Sequence, residues 1–149
     1  WRRSAGDVPG VERMYAGRKE FHDFLGQCDY VVVVLPLTDA TRGLFDDTAF
    51  AAMRDGTYLI NVGRGPVIQE QALLRALESG KLAGATLDVF DVEPLPEDHP
   101  FWRMENVIVT PHMSGPTVAE EVTAPFIENM ERFLAGRPLL KQVDLQRGY

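Results

Sequence analysis

Four short apolar stretches, separated by segments with helical spacing, constrain the fold of this chain more than any other feature of its sequence. They are YVVVVLP at residues 30–36, TYLINV at 57–62, GATLDVF at 84–90 and NVIVTP at 106–111. The first is uniformly apolar and β-branched, which is typical of a parallel strand covered on both faces. The alternation of strands and helices predicts an α/β fold built on one parallel sheet.

Helical patterns fill the intervals between these strands. Apolar side chains on one face predict a short helix before the first strand and two helices in these intervals, and the glycines expected to follow their ends are Gly26, Gly56 and Gly80. Asp46 or Asp47 is the expected N-cap of the second helix. A last, long helix is indicated by the capping-box spacing of Thr117 and Glu120, and Pro125 is expected to give it a kink or a late start.

The composition and charge exclude several classes of protein. The chain has 149 residues, of which 45% are hydrophobic and 25% charged, a balance typical of a soluble globular protein. Its net charge of -7 argues against a nucleic acid or an anionic membrane as partner. Cys28 is the single cysteine, so no internal disulfide can form and a reducing, cytoplasmic location is expected. The longest apolar run, residues 30–37, is too short to span a bilayer.

Polar side chains follow three of the predicted strands, at the point where ligands bind in parallel α/β sheets. Arg64 follows the second strand between two glycines, which are expected to let the backbone turn sharply and another molecule come close. Asp88 closes the third strand, and Glu93 lies five residues further on. His112 follows the fourth strand. An arginine, a carboxylate and a histidine on one rim predict an anion anchor and an acid/base pair.

Each of these residues also has a simpler interpretation. A strand-end arginine is often a surface or ion-pair residue, Asp88 could cap a turn, and Glu93 beside a proline could be solvated. Many loop histidines have no role. His22 and His99 are interpreted in this way, the first because it lies in a helical stretch and the second because it lies in an acidic loop.

The chain as a whole resembles the D-isomer-specific 2-hydroxyacid dehydrogenases, within them the glyoxylate/hydroxypyruvate reductase branch. The segments that carry the resemblance are LPLTDATRGLF, LINVGRGPVIQEQALLRALESGKLAGATLDVFDVEPLP, VIVTPHMSG and the closing VDLQRGY. The resemblance implies a Rossmann-like sheet, a small 2-ketoacid substrate and a homodimer. It also implies that residues 1–116 are the C-terminal part of the NAD(P)-binding domain. Residues 117–149 would be a C-terminal helix and a tail that returns towards a substrate domain absent from the chain.

The roles of individual residues follow from the resemblance. Arg64 would bind the carboxylate and carbonyl of the substrate, and His112 would protonate the carbonyl oxygen as hydride arrives from the nicotinamide. Glu93 would hydrogen-bond His112. The residues that the resemblance assigns to cofactor binding are Arg2, Arg3, Ser4, Leu35, Pro36, Thr41, Val62, Gly63 and Asp88, the last on the nicotinamide carboxamide. No metal site is predicted.

The opening WRRS indicates which cofactor is preferred. It matches the end of the second strand of the dinucleotide fold, where an acidic residue would bind the ribose of NAD. Two arginines and a serine suit a ribose 2'-phosphate instead, so NADP(H) is preferred and NAD(H) remains possible. Alternatively, Arg2 and Arg3 are merely exposed at a chain end.

The chain departs from the family in lacking the sequence G-x-G-x-x-G. With the strand order 3-2-1-4-5-6 and YVVVVLP as the third strand, the two central strands would be missing. YVVVVLP and TYLINV would then lie about 14 Å apart. The chain is therefore expected to be the catalytic half of a longer enzyme or, alternatively, to borrow strands from another chain. A non-catalytic remnant that acts as an interaction or oligomerisation module is the second hypothesis for its function.

Overall fold

Four parallel strands form one sheet in the computed structural model of the chain, which describes residues 1–6, 8–115 and 118–145. The strands are β1 (Tyr30–Val33), β2 (Thr57–Asn61), β3 (Leu82–Leu87) and β4 (Val107–Val109). Each strand pairs in parallel with the next one along the chain. The predicted α/β fold with a Rossmann-like parallel sheet is confirmed.

One α-helix precedes the strands of the described sheet, two connect strands and one follows them, and local capping is seen at two of their ends. The α-helices are α1 (Phe21–Leu25), α2 (Asp47–Ala52), α3 (Glu70–Glu78) and α4 (Ala119–Leu134), with short 3-10 helices at Arg18–Glu20, Gly65–Val67 and Pro100–Arg103. Asp46 is the N-cap of α2, since its Oδ1 accepts the Ala49 N–H at 2.9 Å and the Thr48 hydroxyl at 2.6 Å. Gly80 follows α3 with a φ of +75°, a left-handed conformation that favours glycine.

The strand order that the sequence predicted is wrong in one respect. β1 lies directly beside β2, with Tyr30 opposite Tyr58 and Val33 opposite Asn61, so no gap separates them. The error came from treating β1 as the third strand of the dinucleotide fold. One helix, α2, joins β1 to β2, and strands joined in this way usually lie side by side. Because β1 and β2 pair directly, no strand from another chain is needed between them.

The expectation that β1 is covered on both faces is also wrong among the described residues. Val31 and Val33 are buried, whereas Val32 and Val34 are 56% and 69% exposed. The core joins the buried face of the sheet to side chains of α1, α2 and α3, and it includes Phe21, Leu25, Phe50, Leu73 and Leu77. All three helices therefore cover the same face.

The second compact unit begins at Met113, whereas the first is Trp1–His112. In the second unit, the tail after α4 folds back on the helix, because the Asn129 side chain donates to the Leu140 carbonyl at 3.2 Å and accepts its N–H at 2.7 Å. The helix begins six residues before Pro125, so the expected late start at this proline is wrong. Thr117, the predicted capping residue, lies outside the described residues. No helix in the described part of the chain is long and apolar enough to cross a membrane.

Candidate functional site

The candidate site lies in the first unit, at the edge of the sheet formed by the carboxyl ends of the strands. β2 ends at Asn61 and is followed by the loop that carries Arg64. β3 ends at Leu87 and is followed by Asp88. His112 follows the end of β4. Because neighbouring parallel strands end at the same edge, three segments distant in sequence contribute polar groups to one rim.

Glu93 and His112 form a direct pair at this rim. His112 Nδ1 and Glu93 Oε2 are 2.8 Å apart, and the other carboxylate oxygen accepts the Phe90 N–H at 2.9 Å. The hydrogen bond from His112, followed by that from the Phe90 backbone, holds the pKa of the Glu93 carboxyl below its ordinary value. Glu93 is therefore an ionised acceptor at neutral pH, and it orients the imidazole through Nδ1.

His112 has an unusual backbone conformation. Its φ is +52°, in the left-handed region that residues other than glycine rarely adopt. Its N–H donates to the Thr110 carbonyl at 3.1 Å, which closes a tight turn after β4. Strained backbone of this kind often occurs at functional sites. About half of the side chain, 48%, is exposed, so the imidazole is accessible while Glu93 holds one nitrogen.

Arg64 lies on the neighbouring loop with an exposed side chain. Its Nη1 donates to the Gly63 carbonyl at 2.7 Å, which orients the guanidinium along its own loop. Its positive charge is the smallest of the effects that lower the pKa of Glu93, after the hydrogen bonds from His112 and Phe90. The guanidinium charge therefore favours the ionised form of Glu93, and among the ion pairs of the described residues none joins the two side chains.

The two glycines beside Arg64 have a different role from the predicted one. Neither Gly63 nor Gly65 has a positive φ, so no sharp left-handed turn requires them. A Cβ on Gly63 would lie 2.8 Å from the Leu35 oxygen. A Cβ on Gly65 would lie 2.0 Å from the Phe90 carbonyl carbon and oxygen. The close neighbour in each case is the backbone of an adjoining loop, and both positions require glycine for that reason.

Asp88 is buried at the end of β3 and is bonded within the protein. Its carboxylate accepts a short hydrogen bond from the Thr110 hydroxyl, and its N–H donates to the Asn61 carbonyl at 3.0 Å. The side chain is only 1% exposed in this structure. Asp88 therefore links the ends of β2, β3 and β4, and contact with a nicotinamide stays a prediction.

The residues expected along the cofactor lie on the loop after β1 and on the end of β2. The Thr41 hydroxyl donates to the Pro36 carbonyl at 2.6 Å and accepts the Thr38 N–H at 2.8 Å, so it shapes this loop. Leu35 adjoins Gly63, as described above. The Val62 N–H donates to the Val33 carbonyl at 3.1 Å, which extends the pairing of β1 and β2 to the rim.

Arg2, Arg3 and Ser4 lie in an exposed segment at the start of the chain. Arg2 forms a parallel bridge with Ala16, with its N–H donating to the Tyr15 carbonyl at 3.1 Å. Further along, Arg18 donates to the Ala40 carbonyl at 3.4 Å, which connects this segment with the loop after β1. The segment is therefore ordered by backbone pairing, and the two arginine side chains are on the surface.

Sequence reasoning missed three residues near the rim. Asn61 and Thr110 are polar residues at the ends of apolar strands, and this position is the signal in the sequence that distinguishes them. His99, interpreted as a residue without a role, pairs with Glu70 at 3.1 Å and accepts the Phe101 N–H at 3.3 Å. His99 therefore attaches the loop after Glu93 to α3. The sequence does not reveal this contact with α3, because Glu70 and His99 are far apart along the chain.

An open groove lies beside the Glu93–His112 pair. Its walls are mostly apolar, and its lining residues include Phe90, Leu95, Trp102, Val109 and Pro111. Trp102 is fixed there by a hydrogen bond from its Nε1 to the Pro96 carbonyl at 2.8 Å. The rim therefore combines a charged pair with an apolar wall, an arrangement typical of small-molecule sites.

Comparison with known proteins gives consistent matches along the whole chain. Residues 1–114 match the model of the D-isomer specific 2-hydroxyacid dehydrogenase, NAD binding domain. Glyoxylate/hydroxypyruvate reductase A of Salmonella newport (strain SL254) is 42% identical over 149 residues, which are 100% of this chain and 47% of that protein. The chain thus spans about half the length of the curated relatives it matches.

Solved structures agree with the sequence comparison. A D-isomer specific 2-hydroxyacid dehydrogenase from Xanthobacter autotrophicus Py2, in complex with NADPH and MES, has a TM-score of 0.95 and 45% identity, covering 99% of this chain and 62% of that one. An NADPH-dependent glyoxylate/hydroxypyruvate reductase from Sinorhizobium meliloti, in complex with NADP and sulfate, has a TM-score of 0.90 and 38% identity, covering 99% and 48%.

Proposed function

We propose, because the chain belongs to the D-isomer-specific 2-hydroxyacid dehydrogenase family, that it forms the catalytic half of an NADP(H)-preferring 2-ketoacid reductase. The substrate is glyoxylate or hydroxypyruvate, and the product is the corresponding 2-hydroxy acid, which is the D-2-hydroxy acid where the new alcohol carbon is chiral. The observation that carries this proposal is the Glu93–His112 pair, 2.8 Å apart on the rim that also bears Arg64. This set combines a carboxylate anchor with an oriented proton donor.

Each of the three side chains has a separate task in the reduction. The Arg64 guanidinium binds the substrate carboxylate and polarises its carbonyl group. Glu93 holds Nδ1 of His112, so that Nε2 is the nitrogen that gives its proton to the carbonyl oxygen. A nicotinamide cofactor bound at this rim would supply the hydride for the carbonyl carbon. One hydride and one proton convert the carbonyl group to the alcohol, and the imidazole is left deprotonated at Nε2.

The residues at the start of the chain fit NADP(H) by their chemistry. Arg2 and Arg3 have exposed guanidinium groups beside Ser4, and none of the six residues 1–6 is acidic. Guanidinium groups bind phosphate by paired hydrogen bonds, whereas a carboxylate here would repel the 2'-phosphate. The Xanthobacter and Sinorhizobium structures, with NADPH and NADP, support the same preference. At the opposite end of the cofactor, Asp88 would bind the carboxamide.

We also propose that the protein acts as a homodimer in the cytoplasm. The family resemblance supports the dimer, and the single cysteine, Cys28, supports a reducing compartment. The substrate partner is a small 2-ketoacid, and the negative net charge of -7 disfavours a nucleic-acid partner.

The direct test is reduction by the full-length protein, followed as loss of NADPH absorbance. We expect turnover with glyoxylate and hydroxypyruvate, and a lower kcat/KM when NADH replaces NADPH. Replacing Arg2 and Arg3 together by alanine should raise the KM for NADPH about tenfold or more and leave that for NADH nearly unchanged.

Arg54→Ala is the matched control for this charge loss. Arg54 pairs with Asp29 at 2.8 Å just before β2 begins, at the opposite edge of the sheet. Absence of turnover with both substrates would contradict the proposed reaction. An equal change for both cofactors in the Arg2 and Arg3 variant would contradict the NADP(H) preference alone.

A further inference from the structure

We propose that Asn61 is a positioning residue that fixes the loop of Arg64 for carboxylate binding. Asn61 is the last residue of β2 and is only 1% exposed. Burying an amide is unfavourable unless its polar atoms are hydrogen-bonded. The buried amide oxygen and nitrogen of Asn61 therefore both need hydrogen-bond partners within the protein.

Both ends of the Asn61 amide bond to the backbone around Arg64. Its Oδ1 accepts the Gly63 N–H at 3.1 Å, and its Nδ2 donates to the Arg64 carbonyl at 3.3 Å. The Arg64 carbonyl also accepts the Val67 N–H at 3.3 Å. A single side chain thus fixes the N–H of Gly63, one residue before Arg64, and the carbonyl group of Arg64 itself.

On its other side, the loop that carries Arg64 packs at Gly65 against the backbone of a second loop. The backbone of Phe90 and Asp91 lies so close that a Cβ on Gly65 would be 2.0 Å from the Phe90 carbonyl and 2.6 Å from the Asp91 nitrogen. Phe90 also donates its N–H to Glu93 at 2.9 Å, so this contact connects the Arg64 loop with the Glu93–His112 pair. Asn61 therefore sets the position of Arg64 relative to the proton donor.

This inference rests on the proposed function of Arg64 as the carboxylate anchor. A guanidinium fork must be aligned with both carboxylate oxygens, and small misplacements weaken such contacts strongly. Asn61 touches neither substrate nor cofactor in this scheme. Its effect should therefore depend entirely on the presence of the Arg64 side chain.

The test compares Asn61→Leu in two backgrounds of the full-length protein, with and without Arg64→Ala. With Arg64 present, we expect the KM for glyoxylate to rise about tenfold or more, and the dissociation constant of oxalate, which cannot be reduced, to rise in parallel. The dissociation constant of NADPH should rise by a smaller factor than that of oxalate. In the Arg64→Ala background, Asn61→Leu should add nothing to either value.

Asn61→Ser provides the same test if Asn61→Leu does not fold. Its hydroxyl can still accept the Gly63 N–H but is too short to reach the Arg64 carbonyl as well. Thr57→Val is the matched control, because Thr57 is another buried polar residue of β2 and donates to the Cys28 and Arg54 carbonyls at the opposite end of the strand. It should lower the unfolding temperature and leave the KM for glyoxylate unchanged.

The outcomes separate this inference from the proposed function. Equal effects of the Asn61 variants in both backgrounds, or an equal rise of KM in Thr57→Val, would overturn the inference and leave the reductase proposal intact. If the unmodified protein reduces no 2-ketoacid, the proposed function fails. Oxalate binding then decides the inference by itself, since loss of oxalate affinity only when Arg64 is present would still support it.

Discussion

Replacement of His112 by asparagine should remove the proton donor while leaving its surroundings in place. Asparagine tolerates the left-handed backbone that the φ of +52° imposes at this position. Its amide nitrogen can occupy the place of Nδ1 and donate to Glu93, which now accepts from the ring at 2.8 Å. What is lost is Nε2, the atom assigned to proton transfer.

The expected magnitude follows from these contacts. General acid catalysis contributes about 10²- to 10⁴-fold to a rate, or about 3–5 kcal/mol of barrier. Because the Glu93 hydrogen bond and the backbone conformation are retained, His112→Asn should lower kcat by this factor with little change in stability. His112→Gln also lacks an imidazole that can give up a proton, and it places a less tolerant residue at positive φ, at an additional cost of about 1 kcal/mol of folding free energy.

The assay is NADPH oxidation with glyoxylate in the full-length protein, accompanied by NADPH binding and thermal unfolding of each variant. Both variants should lose about 10²-fold or more in kcat while binding NADPH normally, and only His112→Gln should unfold at a clearly lower temperature. If His112→Asn keeps its kcat within about threefold of the unmodified protein, proton donation by His112 is refuted.

Two further predictions concern stability. The pKa of Glu93 lies below its ordinary value of 4.5 because His112 and then Phe90 donate hydrogen bonds to the carboxylate, so these bonds stabilise the fold above that pH and are lost as the pH falls through the lowered pKa. Urea unfolding should therefore show a stability difference between the unmodified protein and Glu93→Gln that shrinks on acidification, and a difference independent of pH would contradict this. Asp46→Ala should cost about 1 kcal/mol because α2 loses its N-cap, whereas Asp46→Asn should cost much less, and equal losses would exclude capping as the cause.

The fold was predictable from local patterns, but the neighbours of each strand were not inferred correctly. β-branched runs and helix-ending glycines identified all four strands, the helix before β1 and the two helices between strands, because these signals are local in sequence. The pairing of β1 with β2 depends on contacts between residues 28 positions apart, such as Tyr30 and Tyr58. The single intervening helix was the better guide to this pairing than the numbering of a longer fold.

The candidate site could be located from the sequence but not fully described. Strand-end positions identified Arg64, Glu93 and His112, because parallel strands bring their carboxyl ends to one edge. Asn61 was missed because its importance lies in two backbone hydrogen bonds that no spacing rule reveals. The role of the glycines beside Arg64 was misjudged for a similar reason, since closeness to another loop is a property of tertiary packing.

The contact between Gly65 and the Phe90 backbone limits how this protein can diversify. No side chain, not even a methyl group, fits at Gly65 without moving two loops, so random libraries at this position should return glycine almost alone. Variation in side-chain volume has to arise elsewhere at this rim, for example at Leu95 and Trp102, which line the apolar groove. The rim thus contains one position, Gly65, at which only glycine fits, and a groove wall at which side chains of other sizes can be tried.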